Sequence, residues 1–355
     1  MREIVITKPG SYDVLQVRTS PDPTVGAGQV KINVKACGLN FAEVMARQGL
    51  YPDAPPTPCV VGYEAAGVVG EVGEGVTSVS VGQRVVVCTK FGAHSDTIVL
   101  SHQMVFPIPD DMTFAEASSI PVNYITAYHM LFRVANIQPG ARVLVHMAAG
   151  GVGVAAIQLL KTIPDVTIFG TASPSKHEFI RQLGCTHPID YTTKDYATEI
   201  TNMYQNELEG KRGVDVIIDP LGEFKSGYHI LNPCGHIIAF GVANMVSGST
   251  RSIFNILKQY MRIPSFNPLH LMNDNKTVSG VNIGHLFIPS QIPMMKQEML
   301  EILELFKQGK CKAIVSEQFT FEQAGEAHKY IEQRKNIGKV VLVPTEADRA
   351  MTPNS

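Results

Sequence analysis

The chain has 355 residues, 45% of them hydrophobic and 17% charged, with 30 Lys plus Arg against 32 Asp plus Glu. That composition excludes a disordered or fibrous chain, and a net charge of −2 without any basic block excludes an electrostatic nucleic-acid binder. The length suits about two domains, each large enough for its own core.

Up to about residue 120 the chain reads as short strands, at 29–36, 67–72, 84–88 and 95–100. The turn signals VGAGQ, YPDAPPTP, VGEGV, VGQR and IPDD separate them, which predicts a largely antiparallel, barrel-like β domain. Helical patterning starts at 113–119, where Thr113 and Glu116 have capping-box spacing, and resumes over 123–134. From Arg142 the grammar changes. RVLVHM, VTIFGTA, THPID, VDVIIDPLG and GHIIAFG read as strands; GVGVAAIQLLKTI, SKHEFIRQLGC (ending at Gly184) and DYATEITNM read as helices between them.

Such alternation predicts an α/β nucleotide domain with a doubly wound parallel sheet over 125–265. The mixed segment 266–345, with amphipathic helices at 296–308 and 321–334 and a closing strand KVVLVP, is expected to rejoin 1–124 in one mainly β domain. Residues 346–355 are expected to form a flexible tail. The segment 255–272 has scattered apolar residues and few cations. It reads as inter-domain packing, with a lid, a pocket wall or a peripheral membrane contact as alternatives.

The six cysteines form no C-x-x-C pair, and the eleven histidines show no H-E-x-x-H spacing. No metal site is expected. MREIVITKPG lacks the basic-then-apolar layout of a signal peptide, so a reducing, cytoplasmic setting is the expectation.

The chemistry concentrates in VLVHMAAGGVGVAAIQLLK. A dinucleotide fingerprint needs glycine for a tight turn, for backbone approach to the pyrophosphate and for helix packing; those slots hold Ala148, Gly150 and Gly153. The N–H groups of Gly151 and Val152 open the helix, where its dipole favours an anion. The alternative is a turn that merely packs a helix on a sheet. His146, inside the strand, reads as a core histidine. At the end of the next strand stand Ser173, Ser175 and Lys176, with no Asp or Glu for a ribose 2′-hydroxyl. Hydroxyls and a cation suit a 2′-phosphate, which favours NADPH over NADH, although Ser175 can equally cap the following helix. Tyr191 ends the third strand, beside the adenine or in ordinary packing. Phe240 and Gly241 end the fifth, toward the nicotinamide half.

GLNFAEVMARQGLYP, PCVVGYEAAGVV, the AAGGVG turn and the terminal IGKVVLVP resemble the medium-chain dehydrogenase/reductase superfamily, specifically its zinc-free quinone oxidoreductase branch. VNYITAY, FGTAS-x-SKHE, THPIDY and DPLG resemble the vesicle amine transport protein group of that branch. The resemblance covers nearly the whole chain. It implies a Rossmann nucleotide domain and an interrupted GroES-like catalytic domain, with homodimers formed by pairing sheet edges. Where zinc alcohol dehydrogenases of the superfamily carry a catalytic Cys and a G-H-E histidine, this chain has Asn40 and Tyr63. Neither replaces a thiolate or imidazole on zinc.

Without that Lewis acid, the implied activity is NADPH-dependent reduction of a quinone or activated enone. The alternative is a nucleotide-binding, vesicle- or membrane-associated factor with little turnover. The resemblance further implies that Asn40 hydrogen-bonds a substrate oxygen, that Tyr51 gives a proton or a stacking face, and that Thr126 contacts the nicotinamide amide. It also places Arg334, Asn336 and Lys339 near the cofactor, with surface solvation an alternative for the two cations. Glu64, beside the former metal position, needs a partner or water.

Overall fold

Arg142–Val145, Thr167–Ala172, His187–Asp190, Val214–Asp219, Leu231–Ala239 and Thr277–Gly280 form one parallel sheet in the computed structural model, which describes residues 1–204, 213–246 and 248–349. Their spatial order is third, second, first, fourth, fifth, sixth. This doubly wound order leaves a crevice at the carboxyl ends, between the first and fourth strands. Val143, Leu144 and Val145 are fully buried, because helices cover both faces of the sheet. The helix His177–Leu183 stops at Gly184, whose φ of 119° is the left-handed cap that the sequence marked.

The sixth strand overturns the expected boundary at 265. Thr277–Gly280 pairs parallel with Leu231–Ala239, so the nucleotide sheet draws on residues beyond 266. TVSG is too short and too polar to be read as a sheet strand from its pattern. Helix Ile292–Lys307 follows the sheet as well: its Met295, Met299 and Ile302 share a core with Ile125, Leu131 and Ile157.

In the other domain the eleven-residue strand Gln29–Leu39 pairs antiparallel with Glu64–Val72, Thr97–Ser101 and Lys339–Val343. Arg84–Cys88 and Val105–Pro107 extend this sheet at one side and Val315–Thr320 at the other. A smaller sheet joins Arg2–Ile6 to Leu15–Thr19 and Cys59–Val60. Thr113 and Glu116 form the capping box as expected, the Glu116 N–H donating to Thr113 Oγ1 at 3.1 Å.

Three local expectations need correction. The helix expected over 123–134 is α-helical over Pro121–Tyr128 and widens into a π-type turn over His129–Val134. That turn places His129 Nδ1 3.0 Å and Arg133 Nε 3.4 Å from one oxygen of buried Glu298. The tail expected from 346 opens with an ordered turn, Glu346–Arg349, held by Lys35 to Asp348 at 3.0 Å and Arg349 to Glu317 at 3.2 Å; residues 350–355 lie outside the described residues. Finally, 255–272 is not inter-domain packing. Leu257, Tyr260, Met261, Leu269 and Met272 are 55–72% exposed, and Ile263 and Phe266 are the ones that reach the sheet core.

Candidate active site

Between Val145 and helix Gly151–Leu160 the chain makes a turn closed by the Gly150 N–H, which donates to the Met147 carbonyl at 2.8 Å. Met147 has φ of 51°. The left-handed residue of the turn is therefore Met147, one place ahead of the first fingerprint slot, and Ala148 fits there without strain. A Cβ on Gly153 would stand 2.5 Å from the Met147 oxygen and 2.8 Å from Ala148 backbone, so the third slot must stay glycine. Gly151 is confined too: its Cβ would stand 2.5 Å from Asn123 Oδ1. Asn123, buried and donating to the Ser119 carbonyl at 3.1 Å, is a neighbour of the turn that no local sequence signal marks. The N–H groups of Gly151, Val152 and Gly153 have no intrahelical acceptor, the arrangement that holds a phosphate.

His146 is the core histidine expected. Its Nδ1 lies 3.2 Å from Thr171 Oγ1, and burial pushes its pKa down to about 4. Asp219 ends the fourth strand. It is fully buried, Oδ1 accepts from the Leu221 N–H at 2.6 Å and the Gly222 N–H at 3.0 Å, and burial pushes its carboxyl up to about 6. Phe240 donates its N–H to the Asp219 carbonyl at 3.1 Å, and a Cβ on Gly241 would press to 3.2 Å from the Pro220 oxygen. These residues line the same end of the sheet as the turn.

At the second strand's end the structure gathers the expected adenosine group. Ser173 and Ser175 hydroxyls are 3.3 Å apart. Lys176 Nζ donates to the carbonyls of Arg334 and Asn336, each at 2.7 Å. The Arg334 guanidinium lies 5.8 Å from the Tyr191 ring centroid. Burial and the nearby Arg334 charge both pull the Lys176 pKa down, burial the more strongly. Two cations face one another here, and neither makes an ion pair with a carboxylate among the described residues.

The former metal position is closed by the chain itself. Asn40 opens helix Phe41–Arg47; its N–H donates to Glu43 Oε2 at 2.9 Å, and its Nδ2 donates to Glu43 Oε1 at 3.2 Å and Glu64 Oε1 at 3.1 Å. Lys339 Nζ forms an ion pair with Glu64 and donates to Asn40 Oδ1 at 2.5 Å. The Val122 N–H completes the set on Glu64 Oε2 at 2.8 Å. One ammonium faces two buried carboxyl groups. Burial accordingly raises the Glu43 pKa to about 8, against the opposing pull of Lys339. Tyr63 stands in the histidine slot, its ring 5.3 Å from Phe91 and 6.5 Å from Tyr51.

Two expectations change. Both amide hydrogens of Asn40 are engaged, so it has none left to offer a substrate oxygen. Lys339 is 3% exposed and committed to Glu64, so its ammonium does not reach a cofactor in this arrangement. Glu43 was legible as N-x-x-E at a helix start, the same capping pattern as Thr113 and Glu116, and was passed over. The amide, phenol and ammonium gathered here do not fit a zinc ion.

Tyr51 is half-buried, and burial raises its phenol above the ordinary value. Its loop is clasped across the cleft: Asp53 Oδ2 accepts from Asn282 Nδ2 at 3.0 Å and lies 2.7 Å from His285 Nε2. Thr126 is buried on Pro121–Tyr128, three residues beyond Asn123 and so on the face that meets the phosphate turn.

Fold and site together define a two-domain dehydrogenase/reductase with a Rossmann sheet. Residues 26–110 match the alcohol dehydrogenase GroES-like domain and 183–342 the zinc-binding dehydrogenase family. The chain belongs to the medium-chain dehydrogenase/reductase superfamily. It is 42% identical over 348 residues to the human synaptic vesicle membrane protein VAT-1 homolog, covering 97% of this chain and 86% of that one. Among solved structures, the human VAT-1 homolog-like protein superposes with TM-score 0.83 at 35% identity, covering 98% of each chain. An Escherichia coli quinone oxidoreductase complexed with NADPH superposes with TM-score 0.83 at 26% identity, covering 97% of this chain and 100% of that one.

Proposed function

We propose that this oxidoreductase is a zinc-independent reductase that uses NADPH to reduce quinones or activated enones. The observation that carries the reading is the pair of cations, Lys176 and Arg334, set with Ser173 and Ser175 beside a phosphate-binding turn. Such a pair suits a dianionic 2′-phosphate and gains nothing from a ribose hydroxyl. The likeness to a quinone oxidoreductase complexed with NADPH supports it. Bound NADPH supplies a hydride for the acceptor.

The chain's own groups do the rest. The turn from Met147 to Gly153 holds the pyrophosphate, and Thr126 and Phe240 border the nicotinamide end. Tyr51 offers a stacking face and a phenolic proton to the reduced acceptor oxygen; burial keeps that proton in place at neutral pH. A quinone needs little activation, because reduction makes its product aromatic, so placement and exclusion of water suffice. The test is a fluorescence titration with NADPH and NADH, then the nicotinamide absorbance with 9,10-phenanthrenequinone, 1,4-benzoquinone and an enone. Binding without turnover on any acceptor overturns the reductase reading.

A second reading rests on helix Ile253–Tyr260, whose apolar side chains are exposed beside Arg251, Lys258 and Arg262. Exposed apolar groups on a helix with cations on it and just beyond both ends suit peripheral attachment to an anionic membrane. It is compatible with reduction. Homodimerisation through the open edge of Thr277–Gly280 is a further part of this reading. Flotation with anionic vesicles at low and high salt tests the first, and sedimentation equilibrium the second.

A further inference from the structure

Six consecutive residues, from Arg334 to Lys339, touch three separate parts of the cleft. At one end Lys176 of the nucleotide domain donates to the Arg334 and Asn336 carbonyls, both at 2.7 Å. In the middle the Gly338 N–H donates to the Ala149 carbonyl of the phosphate turn at 2.9 Å, and Asn336 Nδ2 braces the Gly338 carbonyl at 2.9 Å. At the other end Lys339 carries its ammonium to Glu64 and Asn40. The segment is a strap from the first domain laid along the second.

Arg334, with φ of 54°, is the left-handed residue that ends helix Ala324–Glu332, its N–H donating to the Ile331 carbonyl at 2.8 Å and the Lys335 N–H to the Tyr330 carbonyl at 3.2 Å. Gly338 has φ of 74°, and a Cβ there would lie 2.3 Å from the Ile314 oxygen. A lysine ammonium has three N–H donors, and two of those of Lys176 fix carbonyls on either side of Lys335. The third stays open to an anion.

We infer that Lys176 is a positioning residue for the substrate side of the cleft, acting through the 334–339 strap, in addition to recognising the 2′-phosphate. By fixing the two carbonyls it helps to hold Gly338 on the phosphate turn and Lys339 on Glu64 and Asn40, alongside the Ile337 N–H on Ser316 Oγ at 3.0 Å and the Lys339 N–H on the Ile314 carbonyl at 2.9 Å. Asn40 in turn opens the helix that leads into the Tyr51 loop. This inference rests on the reductase reading for its kinetic consequence, but not for its structural one.

NADH separates the two roles, because it has no 2′-phosphate for Lys176 to bind. The experiment compares wild type with Lys176→Met and Lys176→Arg, using NADH as donor and 1,4-benzoquinone as acceptor. Amide exchange at Gly338 is followed in the same variants without any nucleotide. Lys176→Met is expected to raise the quinone KM several-fold, and to speed exchange at Gly338 by about tenfold, the equivalent of one charge-assisted hydrogen bond. Lys176→Arg, which keeps donors on the carbonyls, is expected to restore most of both. NADH kinetics and Gly338 exchange identical to wild type in Lys176→Met would overturn the inference. If no quinone is turned over, the reductase reading fails, and the exchange result still decides the strap.

Discussion

The nucleotide crevice and the former metal slot are both rich in polar groups, and they treat them in opposite ways. In the crevice donors are left open: the first N–H groups of helix Gly151–Leu160, the third hydrogen of Lys176, the Arg334 guanidinium. In the slot, Asn40, Glu43, Glu64 and Lys339 bond to one another until little is left for a ligand. Buried polar groups are normally satisfied, so donors left open in a crevice mark where a ligand supplies the partner. The comparison separates a candidate binding site from a cluster whose groups satisfy one another.

Removing the cation of the closed cluster is the harshest way to break that contrast. Lys339→Met leaves Glu64 buried without its counter-charge, which is expected to cost about 3–5 kcal/mol of stability. Adding Glu64→Gln to it should recover part of the loss. Denaturant melts of the two variants check both values; equal melts for the single and the double variant would mean that Glu64 does not depend on Lys339.

Closing the open region has a smaller effect on folding and a larger one on binding. Gly153→Val drives a side chain into the Met147 carbonyl and Ala148, and overpacking of this kind costs about 1–3 kcal/mol. Pyridine nucleotide affinity should vanish in a titration while the fold, read by circular dichroism, persists.

Glu43 gives the cluster a pH signature. Its carboxyl is raised to about 8 in the folded chain, so between the ordinary carboxyl range and that value only the folded state holds the proton. Folding stability from this group is therefore full at low pH and falls as pH rises toward the folded value. Glu43→Gln has no such proton to lose. Its stability relative to wild type should grow by on the order of 3 kcal/mol between pH ~5 and pH ~8, read from urea melts. A gap that stays constant over that range would mean that Glu43 is ionised throughout.

The smallest effect belongs to the loop clasp. Asp53→Ala removes the partly exposed hydrogen bonds to Asn282 and His285, which are expected to contribute well under 1 kcal/mol to folding, roughly 0.2 kcal/mol or a little more. The expected result is a two- to threefold rise in acceptor KM, with stability and nucleotide affinity unchanged.

Much of this was legible because the relevant signals are local. RVLVHM followed by a glycine turn and an apolar helix announces a Rossmann start, and Ser173, Ser175 and Lys176 are close enough in sequence to be read as one polar group at the next strand's end. What stayed hidden depends on contacts between distant parts of the chain. The strand Thr277–Gly280 is recognisable only by its partner Leu231–Ala239. Lys339 and Glu64 lie far apart in sequence, and no spacing rule links them. The scattered apolar residues of 255–272 show in the sequence, but not whether anything in the chain covers them.

Titration of wild type and Lys176→Glu with NADPH and with NADH bears most directly on the central claim. Wild type should prefer NADPH, and the substitution should weaken NADPH about a hundredfold while leaving NADH nearly unaffected, in line with losing charge-assisted bonds to one phosphate. Equal losses for the two nucleotides, or no affinity for either at millimolar concentration, would contradict it.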